Sequence, residues 1–449
     1  MNVSIGVEKF GKIEKAEITL GRLILFVGEN NSGKTYMMQL LYGVTSAIID
    51  HPQLMMKKNG KDDSEFLVDL DDIAAWEKKI NDYLELNKEQ IVKDIFYRDI
   101  PIEKLYVKID DLAASYLVKL KKVKLLHEIS DDNDFKNDFI YDVRIRKKKN
   151  GIKESERGIR FGGNIDKEFV IRYARKIIVA DMLGMSSRGN TLFLPASRTG
   201  MLLLYKYFFA EKDHQGFMID SDDEEQMTKN QLGLSAPVYD FLQFLLRFTP
   251  DNLISAKDQE ILDFIEEYLI EGKIKLSGEE SYYVPKDLEQ RIPLYLSSSL
   301  INELAPVVKM LSSVMPYDSV YYDEIETCLH PLKQKAMARL MIRLVNSGRR
   351  MIISTHSDSM AINMNNLLTF TLGSWGEERK EQKMKELQLE ESDILQTKDV
   401  HVYQFSNTAH GTSNVRELEF RTANNLGYDF ELFNQNLQNL SNDTIKIMG

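Results

Sequence analysis

The residues Gly28-Glu29-Asn30-Asn31-Ser32-Gly33-Lys34-Thr35 have the spacing GxxxxGK[ST]. Glycines at such positions let successive backbone N–H groups turn inward onto phosphate oxygens. A helix starting at the lysine adds its partial positive charge. In this pattern Lys34 reaches β- and γ-phosphates and the Thr35 hydroxyl ligates Mg²⁺, so phosphate contacts are expected from Gly28 through Thr35. A second stretch, Ser319-Val320-Tyr321-Tyr322-Asp323-Glu324, is apolar and ends in two acids. At a strand end Asp323 can orient the metal's water shell, and Glu324 can polarise an attacking water. Acids are common at loop starts, so this pair gains its meaning from the phosphate loop. A third stretch, Met351 to Ser357, ends a strand in Ser354-Thr355-His356. His356 is either structural or placed to hydrogen-bond a γ-phosphate.

These groups need a sheet to bring them together. Leu23–Val27 is a continuous apolar run, the pattern of a strand buried on both faces, and Met37, Leu40, Leu41 and Val44 follow at helical spacing. Val3–Val7 and Ile13–Leu20 alternate as half-buried strands do. Thr191–Pro195, Ser319–Tyr322, Met351–Ser354 and Val400–Phe405 read as further strands. Met201–Ala210, Ala236–Arg247, Ala256–Ile270 and Pro331–Asn346 read as helices. The expected fold is α/β, a mixed central sheet with helices, assembled from residues 1–60 and 186–449. Residues 206–290 are expected to form a helical lid that includes an acidic loop at 211–225. Residues 61–185 are expected to be a mostly helical insertion, with helices at Ile73–Leu86 and Phe169–Met185 and a hairpin over 142–160 turning at Asn150-Gly151.

Composition narrows the classes. The chain has 449 residues, and 58 Lys+Arg against 69 Asp+Glu leave it at −11, so no global field attracts nucleic acid. The 142–160 hairpin carries eight Lys/Arg and three acids, a local exception. It is either a solvated charged surface or a DNA contact through Arg144, Arg146, Lys147, Lys148 and Lys149. A single cysteine, Cys328, excludes a disulfide framework and a multi-cysteine zinc site. No run of about 18 apolar residues occurs and the start lacks a signal-peptide pattern, so a cytoplasmic location without membrane contact is expected.

The order GENNSGKT, then YYDEIETCLHP, then IISTHS resembles the ATP-binding-cassette heads of the OLD, RecF and SMC group. It is most similar to the ATPase subunits of bacterial anti-phage systems of Septu or PARIS type. Phe193-Leu194-Pro195-Ala196-Ser197-Arg198-Thr199-Gly200 resembles a PASR segment of that group, and Leu296-Ser297-Ser298-Ser299-Leu300 stands where the signature of such heads belongs. Serines replace both signature glycines, which makes close backbone approach to a second nucleotide less assured. The resemblance implies ATP and Mg²⁺ as cofactors and slow ATPase turnover. Glu324, His356 and Lys34 would act in catalysis, Thr35 and Asp323 on the metal, and Arg198 and Ser297 on nucleotide. For Arg198 the alternatives are an exposed surface arginine and a buried structural pair. For Ser298 or Ser299 the plainer reading is a helix N-cap.

The resemblance further implies a homodimer or higher oligomer that sandwiches ATP between heads. A TOPRIM nuclease domain of the OLD kind is not expected. Asp220-Ser221-Asp222 has no strand before it, the stretch after His356 is short for such a domain, and His401, Asn407 and His410 lack an acidic partner set. The destructive step of a defence protein would then belong to a separate nuclease or toxin effector. The alternative is a DNA repair or recombination ATPase of RecF type that binds duplex DNA.

Overall fold

In the computed structural model the chain divides into two units. The model describes residues 2–59, 64–110, 114–124, 139–149, 152–162, 165–185, 190–210, 233–276, 281–422, 427–430, 442–443 and 445–447. One unit comprises residues 1–6, 44–88 and 104–187, and the other residues 7–43, 89–103 and 188–449. The acidic loop at 211–225, including Asp220 and Asp222, and the Asn150-Gly151 turn lie outside the described residues.

In chain order the strands are β1 (Asn2–Phe10), β2 (Ile13–Thr19), β3 (Leu23–Gly28), β4 (Lys57–Lys58), β5 (Glu65–Val68), β6 (Lys104–Asp110), β7 (Ala114–Lys124), β8 (Phe139–Lys149), β9 (Ile152–Phe161) and β10 (Asn190–Leu194). They continue with β11 (Gly272–Leu276), β12 (Ser281–Pro285), β13 (Ile292–Pro293), β14 (Tyr317–Tyr322), β15 (Arg350–Thr355), β16 (Val400–Asn407) and β17 (Ser413–Glu417). The helices are α1 (Lys34–Asp50), α2 (Leu70–Phe96), α3 (Lys167–Met182), α4 (Arg198–Ala210), α5 (Ala236–Arg247), α6 (Ala256–Phe264), α7 (Ser299–Leu311), α8 (Pro331–Asn346), α9 (Asp358–Leu372) and α10 (Glu377–Leu387).

The larger unit is an α/β fold on a mixed sheet in which β10, β14, β15, β3 and β16 lie side by side and parallel. β17 is antiparallel to β16 and parallel to β2. β3 and β15 are buried along their whole length, which is why they read as continuous apolar runs rather than alternating ones. Because the central strands are parallel, the carboxyl ends of β3, β14 and β15 open on one edge, where an open α/β sheet presents its ligand crevice. Helices α7 and α8 supply much of the core packed on this sheet. Gly272–Leu276 and Ser281–Pro285, expected as part of a helical lid, instead form with Ile292–Pro293 the small antiparallel sheet β11-β12-β13. Lys273 and Lys275 alternate with Ile274 there, a period-2 pattern that suits a strand.

The smaller unit corrects the expectation of a mostly helical insertion. β4, β5, β7, β8 and β9 form an antiparallel sheet. One of its faces buries Tyr116, Val118, Leu120, Val143 and Ile145. Helix α3, N-capped by Asp166, supplies Val170, Ala174 and Ile178 to the core of this unit. β6 runs beside β1, where Gly6 leaves room for the Tyr106 ring. The sequence K-L-Y-V-K-I-D of β6 alternates strictly and buries Leu105, Val107 and Ile109. Charged residues on its exposed face leave this period intact, so the alternation marks a strand even in a segment rich in Lys and Asp.

Candidate functional site

The phosphate loop leaves β3 at Gly28 and enters α1 at Lys34. Gly28 has φ +147°, and a Cβ there would lie 2.1 Å from the Phe405 carbonyl oxygen, so only glycine fits. Gly33 (φ +95°) and Asn31 (φ +56°) supply the other left-handed turns. The Lys34 ammonium lies back over the loop and donates to the Gly28 carbonyl at 2.9 Å, the Glu29 carbonyl at 2.6 Å and Ser32 Oγ at 3.4 Å. Burial pushes its pKa down, while Asp323, Glu324, Glu326 and Glu29 oppose that.

The acidic stretch meets this loop directly. Thr35 Oγ1 donates to Asp323 Oδ2 at 2.8 Å across 288 positions of sequence. Asp323 Oδ1 accepts from Ser354 Oγ at 2.5 Å, and the same Ser354 oxygen accepts the Glu324 N–H at 2.8 Å. Burial raises the Asp323 pKa against the pull of these hydroxyls. Among the described residues no group of three or more His, Cys, Asp or Glu side chains is gathered as a metal site. One hydroxyl beside one carboxylate is nevertheless the sparse oxygen donor set that suits Mg²⁺, which keeps several waters and shares phosphate oxygens. The residues present therefore fit the ion.

His356 stands after β15 between two carboxylates. Its Nδ1 is 3.0 Å from Glu326 Oε1 and 3.6 Å from Glu324 Oε1, the latter an ion-pair distance rather than a hydrogen bond. The imidazole beside it holds the Glu324 carboxyl below the usual carboxylate range, and the carboxylates reciprocally raise His356. Glu326 is buried and accepts the backbone N–H groups of His356 at 2.7 Å and Ser357 at 3.1 Å. It fixes the loop that carries His356. As a third acid two positions after Glu324 it was visible in the sequence, but only the fold shows it as the anchor of another strand's end.

Beside the loop lies a cavity of about 440 Å³ whose apolar lining includes Phe10, Ile13, Tyr36 and Ile100, with Lys12 and Glu324 at its polar side. Tyr36 stacks on Phe96 with ring centroids 5.3 Å apart. Lys12 donates to the Asn31 carbonyl and to Asn407 Oδ1, the latter at 2.8 Å. Asn407 in turn donates from Nδ2 to the Asn30 carbonyl at 3.3 Å and from its N–H to Glu29 Oε2 at 3.1 Å. Lys12 and Asn407 brace the loop through tertiary contacts that no local spacing announces.

The structure thus gathers Gly28 to Thr35, Asp323, Glu324 and His356; of the two other expected residues, Arg198 meets this group only through backbone carbonyls and Ser297 lies outside the cavity lining. Arg198 is fully buried and has no surface for a phosphate. Its guanidinium donates to the carbonyls of Pro195 at 3.0 Å, Asp323 at 2.8 Å and Glu324 at 3.1 Å, and pairs with Glu303 Oε2 at 2.5 Å. Of the plainer alternatives, its surroundings match the buried structural pair and not the exposed surface arginine. Ser297 ends a 3₁₀ turn with its hydroxyl on the Pro293 carbonyl at 3.1 Å, away from the cavity lining. Ser298 holds the N-cap position of α7 without a side-chain capping bond.

The basic hairpin is also sorted differently than five clustered residues suggested. Strand alternation puts Lys147 on the buried-side face, where it pairs with Asp181 at 3.0 Å and Glu154 at 3.3 Å. Lys149 shares that face, opposite Ala114. Arg144, Arg146 and Lys148 lie on the other face with Lys119, Lys121 and Arg160. Of the suggested nuclease triplet, Asn407 braces the phosphate loop, while His401 pairs instead with Glu417 at 2.6 Å and Asp399 at 3.5 Å. Among the described residues no helix is long and apolar enough to cross a membrane.

Residues 219–361 match the family model described as AAA ATPase domain, a stretch that includes Asp323, Glu324 and His356 but not the phosphate loop. No curated protein matches the chain. Among solved structures the chain is similar to an Smc head bound to the C-winged helix domain of ScpA, at 12% identity and TM-score 0.36, covering 94% of this chain and 98% of that one. An Smc head domain with an extended coiled coil bound to the C-terminal domain of ScpA, derived from Pyrococcus furiosus, gives 12% and 0.35, with 93% and 96% covered. An SMC head domain from Thermotoga maritima gives 10% and 0.34, with 93% and 100% covered. At these scores the likenesses carry no argument, and the functional reading rests on the site.

Proposed function

We propose that the chain is a slow ABC-type ATPase whose heads pair around ATP as a switch. The single observation that carries this reading is the 2.8 Å bond between Thr35 and Asp323, which joins the phosphate loop to the acidic strand end. Bound MgATP would supply the scissile phosphoanhydride and the metal's charge. Lys34 leaves its loop carbonyls to neutralise phosphate oxygens, while loop N–H groups and the start of α1 hold the anion. Thr35 and Asp323 would hold the Mg²⁺ side. Glu324, kept ionised at neutral pH, accepts the proton of an attacking water, and His356 hydrogen-bonds on the γ side. The apolar cavity of Phe10, Ile13 and Tyr36 takes the base.

The motif resemblance supports a finer reading as the ATPase of a bacterial anti-phage system, a homodimer or higher oligomer in the cytoplasm that restrains a separate nuclease or toxin effector and cuts nothing itself. In that assembly Ser297 of one copy would complete the site of another. A second reading, an ATP-gated DNA-binding protein, is favoured by the basic row Lys119, Arg144 and Arg160 on one sheet face. Lys34→Ala tests the common premise: ATP affinity measured by calorimetry should fall beyond detection, and an unchanged affinity would refute the phosphate-loop assignment. Glu324→Gln should keep ATP bound and trap a dimer visible by light scattering.

A further inference from the structure

Glu324 has φ +48°, a left-handed backbone that a glutamate rarely adopts unless its surroundings hold it. Three groups hold it. Ser354 Oγ takes its N–H, Thr327 donates to its carbonyl from Oγ1 at 2.8 Å and from N at 3.1 Å, and Arg198 grips both its carbonyl and that of Asp323. The Arg198 guanidinium also stacks over the Tyr322 ring at 4.5 Å, so its plane is fixed from one side as well as by its edge. Its Nε edge meets Glu303, which is buried and also accepts the Thr199 hydroxyl. Glu303 lies on α7, the helix that begins directly after Ser297 and Ser298. One planar cation therefore ties the start of α7 to the two backbone carbonyls that orient Asp323 and Glu324.

We propose that the Arg198–Glu303 pair is a positioning device that couples α7 to the Glu324 carboxylate. A shift of α7, such as docking of a second copy on its serine-rich start would produce, moves Glu303, turns the guanidinium and swings the Glu324 peptide. Turnover is thereby tied to the position of α7 while nucleotide binding is not. This inference rests on the ATPase reading. Arg198 is fully buried, so it acts only through the Asp323 and Glu324 backbone it holds.

The experiment compares wild type, Arg198→Lys, Glu303→Gln and the apolar double variant Arg198→Met/Glu303→Met, all in the full chain. ATP affinity, kcat, KM and melting temperature are measured for each. Because the double variant removes both charges together, it leaves no unpaired ion to unfold the core. The expected result is a kcat lowered by about 10²-fold in the double variant and about tenfold in Arg198→Lys, with KM and ATP affinity within about twofold of wild type. Glu303→Gln, which keeps a side-chain oxygen beside Nε, should retain most of the rate. A folded double variant with wild-type kcat overturns the coupling and leaves the ATPase reading intact. A wild-type chain that binds no ATP overturns the ATPase reading, and the coupling falls with it.

Discussion

Charge is handled in opposite ways by the candidate-site edge of the larger unit and the sheet of the smaller one. At the edge, Lys34, Arg198, Asp323 and Glu303 are buried, and each is held by backbone carbonyls, hydroxyls or an opposite charge at close range. On the sheet, Arg144, Arg146 and Lys153 stand in water and pair with Asp142 and Glu156 across or along strands. The difference teaches where a charge has a defined geometry. A buried ion without its partner strands a charge and costs several kcal/mol, so its position is fixed. A solvated pair is worth about 0–1 kcal/mol and can exchange partners with water, or with a polyanion, at almost no cost.

The largest effect expected from this contrast is on folding. Arg198→Met alone leaves Glu303 buried and unpaired, so urea unfolding should show a loss of about 3–5 kcal/mol. In the smaller unit the nearest counterpart is Asp181, half-buried on α3, which accepts from Tyr116 Oη at 2.8 Å and pairs with Lys147 at 3.0 Å and Arg157 at 3.6 Å. Asp181→Asn keeps a hydrogen-bond acceptor and loses two ion pairs, so it should cost about 1–2 kcal/mol by the same measurement. Equal losses at the two sites would break the contrast.

His401 lies between these extremes, on β16. Burial works against its charge, but Asp399 and Glu417 raise its pKa to about 9. A raised histidine stabilises the fold fully below its ordinary value near 6.5, and that contribution is lost as pH rises through about 9. With its acidic partners nearly half exposed, about 1 kcal/mol is at stake. His401→Gln should remove the decline in unfolding free energy between pH 6.5 and 9, and an unchanged decline would assign it to other groups.

The two regions were also unequally legible in the sequence. Gly28–Thr35 could be read directly, because phosphate binding by consecutive N–H groups demands a contiguous loop. Asp323 and Glu324 could be read because an apolar run ending in acids marks a strand's end. Arg198 was visible as a residue but not as a role, since spacing cannot tell a guanidinium that meets phosphate from one that grips carbonyls 125 positions away. Ser354, Glu303, Lys12 and Asn407 act through tertiary contacts alone. In the smaller unit the hairpin was legible from its turn dipeptide. The rest of its sheet is not legible because the charged outer face of β7 masks the alternation that buries Tyr116, Val118 and Leu120.

The smallest effects belong to the outer row of the sheet. Lys119, Arg144 and Arg160 project on one face, at positions opposite or adjacent in register, and the acids between them are Asp142, Glu156 and Glu65. Glu65 pairs with Lys119 at 2.5 Å, yet both side chains are substantially exposed, so the pair contributes little to the fold. Changing Lys119, Arg144 and Arg160 to glutamine should shift stability by about 0.5 kcal/mol or less per residue. If the row meets a nucleic-acid backbone, the same triple change should weaken duplex binding equally for all sequences. The slope of log K against log salt should then fall by about 1 for each phosphate that is no longer neutralised. If the row is only a solvated surface, stability and salt slope both stay put. Fluorescence anisotropy with a labelled duplex over about 50–200 mM salt separates the two. Stability cannot, because the paired acids and water already satisfy these side chains.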